Sequence, residues 1–188
     1  PVIFVGETQG FLRNNLARFS ALLSLNKPIR LLAIEKRLLN APNADVDWED
    51  ASHGYRQELA ALAIAHRSAH TFQCAANQPV HMFKGIFSCL EVDSPSIMHF
   101  LIPDAGEVKI TEILKLSAAV ESRYFPAITY NLSEGKKWGS RFSISQNPQP
   151  EANWPTHPFT FVDVDGAEKT QEWAFTYADH KADRKSVV

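Results

Sequence analysis

Cysteine is scarce in this chain: Cys74 and Cys89 are the only two among 188 residues. Two thiols do not make a disulfide framework, so a stapled secreted scaffold is excluded and a reducing, cytoplasmic setting is expected. Long apolar runs are also missing. Every hydrophobic stretch is broken by Arg, Lys or Asn well short of a membrane span. The opening strand is too short, and lacks the basic lead-in, for a signal peptide. A surplus of one charge is missing too, since 19 Lys and Arg face 21 Asp and Glu for a formal net charge of −2. That argues against the broad basic face that duplex nucleic acid requires and leaves room only for a local groove. No glycine-rich nucleotide loop, zinc signature or nucleophile elbow occurs, so no motif declares an activity.

What is present is core-forming material. The chain is 45% hydrophobic and 21% charged, enough for one packed domain over residues 1–188 without staples. The apolar period changes near Pro79, from three-to-four spacing before it to alternation after it. The switch predicts an α+β fold, with three N-terminal helices packed on a mainly antiparallel sheet from the second half and one further helix near 109–122.

In detail, Val2–Val5 reads as a buried strand ending at Gly6, and Leu12, Leu16, Phe19 and Leu23 share a helical stripe. Ile29–Leu39 reads as a second helix, with a strand through Ile29–Glu35 as the competing reading. After the acidic turn Asn43–Asp50, a third helix is expected from about Ala51 to Gln73. Val80–Val92 and Ile97–Ile102 bracket Asp93-Ser94-Pro95-Ser96 in the manner of a hairpin. Helical spacing returns over Lys109–Ser122. Ala127–Leu132, Arg141–Ser145, Phe159–Val164 and Glu172–Tyr177 read as strands, the last pair turning at Asp165-Gly166. Gln146–Pro158 holds four prolines and reads as an extended arm. Ala178–Val188 is a polar tail of the kind that orders only when tied down.

Three sets of residues carry candidate chemistry. His66, His70 and Cys74 fall at i, i+4 and i+8 of the expected third helix, which aligns three metal-ligating side chains on one face. At 1.5 Å rise per residue the set spans about 12 Å, so one ion needs a pair of them plus His81 or His99. A transition metal is therefore the one cofactor the residues offer; the alternative is a half-buried helix face. The second set is Pro1, a secondary amine whose basicity falls in an apolar pocket. Pro1 with its apolar strand and helix resembles the first 25 or so residues of the tautomerase family, and Ile128–Leu132 with Lys136-Lys137-Trp138-Gly139 resembles its closing strand. The resemblance implies Pro1 as general base in keto–enol chemistry. The third set, Trp138, Trp154, Arg141, Lys136 and Lys137, interleaves aromatics and cations and suits a partner surface. Asp163-Val164-Asp165-Gly166 and Asp104 with Glu107-Val108-Lys109 imitate metal-binding carboxylate motifs, but both read better as turn chemistry.

The leading expectation is a non-catalytic binding or assembly protein, a subunit of a homo-oligomer or larger complex. The alternatives are a small acid–base enzyme with its pocket between helices and sheet, and a single-stranded nucleic-acid binder using the aromatic and basic residues of the C-terminal half.

Overall fold

The computed structural model describes residues 2–13, 15–36, 58–103 and 110–174. In chain order these form β1 (Val2–Glu7), α1 (Thr8–Arg13), α2 (Leu16–Leu23), β2 (Ile29–Glu35), α3 (Leu59–Ala65), β3 (His70–Ala75), α4 (Pro79–Glu91), β4 (Ser96–Leu101), α5 (Ile110–Glu121), β5 (Ile128–Tyr130), β6 (Phe142–Ser143), β7 (Thr156–Val162) and β8 (Glu168–Ala174). One six-stranded sheet has the order β1-β2-β4-β3-β5-β6. Its first four strands are parallel, and β5 and β6 add antiparallel at one side. β7 and β8 form a separate antiparallel hairpin.

Mixed α and β content is as the sequence implies, but the arrangement differs. Helices and strands alternate rather than segregating at Pro79, and the heart of the sheet is parallel, not antiparallel. Parallel strands covered on both faces lose the alternating pattern that marks a half-exposed strand. β2 shows the consequence: five of its seven residues are buried, so Leu31 and Ile34 imitate helical spacing. The competing strand reading of Ile29–Glu35 is the correct one. β3 is buried at all six positions; the third helix, expected to run on to Gln73, stops at Ala65 in α3, and the start expected for it near Ala51 lies outside the described residues. Val80–Val92, read as a strand, is helix α4, opened by Pro79 in its first turn, where a missing N–H costs nothing.

The layers follow from handedness. The steps β1 to β2 and β2 to β3 run the same way along the sheet, and β3 to β4 steps back. Right-handed crossovers then put α4 on the opposite face from the helices that precede it. Accordingly Leu31, Ala33 and Ile97 pack under α1, α2 and α3 with Leu12, Phe19, Leu23 and Leu59. Leu101 and Ala75, on that same face, pack under α5 with Leu116, Ala119 and Phe125. The other face presents Leu32, Phe72, Cys74, Met98 and Phe100 to Met82, Ile86 and Cys89 of α4. α5, β4 and the final hairpin lie where the sequence puts them within a few residues, and the hairpin turns at Gly166 with φ of 75°. Among the described residues no helix is long and apolar enough to cross a membrane.

Candidate functional site

Strand register brings Gly6, Ala33, His99 and Gln73 into one transverse row of the sheet, on the face covered by α1. Two of the four are small, which leaves height above the sheet for larger polar side chains from the next row. Thr8, the first residue of α1, follows β1 without a loop and reaches His99 from above. Its Oγ1 lies 3.0 Å from His99 Nε2. On the ring's other side Nδ1 is 2.9 Å from Gln73 Oε1. The orientation of this chain is fixed at its far end, where Gln73 Nε2 donates to the Pro126 carbonyl at 2.9 Å. Oε1 must therefore accept and Nδ1 must carry the proton, while Nε2 and the Thr8 hydroxyl share the bond on the other side of the ring. Glu35 Oε2 stands 4.0 Å from the same Nε2, and Phe125 meets the ring edge-on at 4.9 Å between centroids. His99, Thr8, Gln73 and Glu35 are all buried. At the rim Lys36 Nζ pairs with Glu7 Oε1 at 2.7 Å.

A hydroxyl, an imidazole and a group that orients the imidazole are the parts of an acid–base relay. Their place is also suggestive, because open α/β sheets bind ligands outside the carboxyl ends of their strands. Sequence reasoning named His99 only as an auxiliary metal ligand and missed Thr8, Glu35 and Gln73. These four residues span 92 positions of the chain, from 8 to 99, and only the parallel register makes them neighbours.

The structure does not bring the expected metal set together. β3 is a strand, so His70 and Cys74 lie about 13 Å apart at roughly 3.3 Å per residue, with Phe72 between them on the same face. His70 Nε2 is 3.2 Å from Ser88 Oγ on α4. Burial pushes its pKa down to about 4, overriding nearby Asn131 and Glu134, which favour the proton. Asn131 stays outside hydrogen-bonding geometry with Nδ1, which is unpaired among the described residues. Burial pushes the Cys74 and Cys89 thiols up to about 12, so neither supplies a thiolate at neutral pH. His81 packs on the Phe72 ring at 4.8 Å, and burial, then Lys84, lowers its pKa. His66 ends α3, 3.3 Å from Ser24 Oγ. There it borders a shallow groove of about 360 Å³ lined mainly by Leu16, Phe19 and Leu62. Among the described residues no three His, Cys, Asp or Glu side chains converge on a space for an ion. Pro1, Asp104 and the tail Ala178–Val188 lie outside the described residues.

The aromatic and basic set is divided. Trp138 stacks edge-on against Phe142 at 4.9 Å and carries Arg67 over its ring at 5.2 Å. Arg141 Nη1 donates to the Tyr130 hydroxyl at 3.4 Å. These two residues sit at the β5–β6 side of the sheet, Arg141 half-buried and Trp138 48% exposed, and Lys136, Lys137 and Trp154 are exposed as well. The proline-rich arm is tied down rather than projecting. Asn147 is buried and brackets Ala127, accepting from its N–H at 2.8 Å and donating to its carbonyl at 2.7 Å. Arg123 donates to the carbonyls of Pro148 and Gln149 at 2.6 and 2.8 Å.

What stands out from the sheet is the hairpin that follows. Its register puts His157, Phe159, Phe161, Lys169, Gln171 and Trp173 on one face. Phe159 meets Phe161 at 6.0 Å and Trp173 at 5.3 Å. Thr160 and Thr170 bond across the opposite face at 2.9 Å. Lys169 pairs with Asp163 beside the turn and, as the largest influence, lowers its pKa. At its base the hairpin is held by His157 to Glu121 at 3.3 Å and by Gln149 to Thr156. Phe159 and Trp173 remain 49% and 56% exposed. No protein-family model matches this chain, and no curated protein matches it in sequence.

Proposed function

We propose that this chain is a non-catalytic binding or assembly protein, a subunit that docks on another polypeptide through the aromatic face of the β7–β8 hairpin. The cluster of exposed Phe159 and Trp173 with half-buried Phe161 carries the reading. A two-stranded hairpin is marginal by itself in water, and large aromatics on a projecting element are the usual anchors of an interface. Trp154, two residues before β7, adds an exposed aromatic to the same stretch of chain, and exposed Lys136, Lys137 and Trp138 with Arg141 offer a second partner surface at the β5–β6 side of the sheet. The test is limited proteolysis of residues 156–174 at high and low protein concentration. Cleavage that is slow at high concentration, and fast in the double variant Phe159→Ser/Trp173→Ser, supports docking. Equally fast cleavage under every condition removes it.

A second reading is supported by the relay from Thr8 through His99 to Gln73. Here the domain acts by general acid–base chemistry in a pocket between helices and sheet, with the His99 Nε2 lone pair as proton acceptor. The discriminating observation is the His99 imidazole resonance in a ligand screen by NMR. A ligand-induced shift that Thr8→Val abolishes favours this reading, and an unresponsive ring disfavours it.

A further inference from the structure

The outer edge of β1 has no strand partner among the described residues, because β1 pairs only with β2. Natural sheets protect such an edge with proline, lysine, a bulge or a covering element. β1 has none of the first three. Instead it exposes Val2 (58%), Ile3 (52%), Phe4 (41%) and Val5 (62%). Strand alternation puts Val2 and Phe4 on one face of the sheet and Ile3 and Val5 on the other. The edge is therefore apolar above and below, and a strand that completes it must be apolar on both faces as well.

Among the described elements that requirement selects the occupant. β8 carries Glu168, Lys169, Gln171 and Glu172, and would lay charge beside exposed Ile3 and Phe4. β7 has Pro158 near its start, which removes a ladder N–H. A helix leaves the edge amides unpaired. β1 itself fits. We infer that β1 pairs antiparallel with β1 of a second copy, joining two six-stranded sheets across a two-fold axis perpendicular to them.

Such an axis keeps each face of the sheet on its own side, so only residues of the same parity can stand opposite each other. The register that uses β1 most fully puts Phe4 opposite Phe4, Ile3 opposite Val5 and Val2 opposite Gly6. It leaves Glu7 outside the apolar pairs. This contact is isologous and closed, so it yields a dimer rather than a filament. The inference deepens the assembly reading by naming one partner, yet it uses a different surface from the hairpin.

Sedimentation velocity on the full chain tests it, using wild type, Ile3→Lys/Val5→Lys and Phe159→Ser/Trp173→Ser. The expected result is a dimer for wild type and for the hairpin variant, with the dissociation constant raised at least tenfold in the β1 variant. The β1 variant should keep its far-UV spectrum, since both positions face solvent. Phe4→Cys gives a check that does not depend on the lysine variant folding. It should cross-link to a dimer under mild oxidation, with Cys74 and Cys89 buried and silent. A monomeric wild type, a dimer unaffected by the β1 lysines, or a Phe4→Cys protein that stays uncross-linked overturns the inference. Loss of the dimer in the hairpin variant alone leaves the hairpin reading standing and removes this one.

Discussion

Thr8 Oγ1 and His99 Nε2 hydrogen-bond across 91 positions of sequence, at 3.0 Å and with both residues buried. The contact joins the start of α1 to the middle of β4, so it pins the β1–α1 junction to the centre of the sheet. Thr8→Val is nearly isosteric but removes this buried hydrogen bond. It should destabilise the fold by about 1–3 kcal/mol, read as a lower urea midpoint with an unchanged slope. Thr8→Ser keeps the hydroxyl and should lose less.

Arg30 is 2% exposed and donates to the Ser94 carbonyl at 2.8 Å, to Leu90 at 3.0 Å and to Val92. These carbonyls lie at the end of α4 and in the turn after it, where helix geometry leaves acceptors without intrahelical donors. One planar guanidinium serves three of them. Arg30→Met should cost about 3 kcal/mol or more through the unsatisfied carbonyls. Arg30→Lys should recover only part of that, because an ammonium lacks the fork. Chemical denaturation of the three proteins gives the comparison.

Gly85 is the point of closest approach between α4 and β3. A Cβ there would stand 2.1 Å from Phe72 Cζ. In an exposed helix Gly→Ala stabilises by roughly 1 kcal/mol. Here the sign reverses, and Gly85→Ala should destabilise by about 1–3 kcal/mol through overpacking. Combining it with Phe72→Leu should restore part of the loss, and the double-mutant cycle measures that coupling.

His70 gives the fold a pH dependence of definite sign. Its folded pKa of about 4 lies below the ordinary value of 6.5, chiefly through burial. The unfolded chain therefore takes up a proton between those two values while the folded chain does not. Stability is unaffected by this group above pH 6.5 and falls as pH drops toward 4, by up to about 1.4 kcal/mol per pH unit. His70→Gln should flatten the stability profile over that window, as measured by urea unfolding at pH 7, 6 and 5.

Much of the second half was legible from sequence because its elements are half-exposed and punctuated. Gly166 marks the hairpin turn, and the helical spacing of Ile110, Ile113, Leu114 and Val120 marks α5, although Ile113 and Leu114 are exposed and the buried face is that of Leu116, Ala119 and Val120. The first half misled for the opposite reason. Ile29–Glu35 is buried at five of seven positions and His70–Ala75 throughout, and a strand covered on both faces keeps no period to read. α4 hid behind its own composition. Val80, Phe83, Phe87 and Leu90 are exposed while Met82, Ile86 and Cys89 face inward, so the apolar residues run nearly unbroken and resemble a strand. Pro79 was the available signal. The relay was beyond reach of any local pattern, because Gln73 and His99 become neighbours only through strand register.

Hydrogen exchange along residues 2–6 and 156–174, followed through a dilution series, tests the assembly reading most directly. Among the described residues β1 is paired on one edge only, with β2, and β7 and β8 pair only with each other. A subunit that assembles with its own kind through either one should show protection of that segment at high concentration that disappears on dilution. Fast exchange in both segments at every concentration would contradict the account.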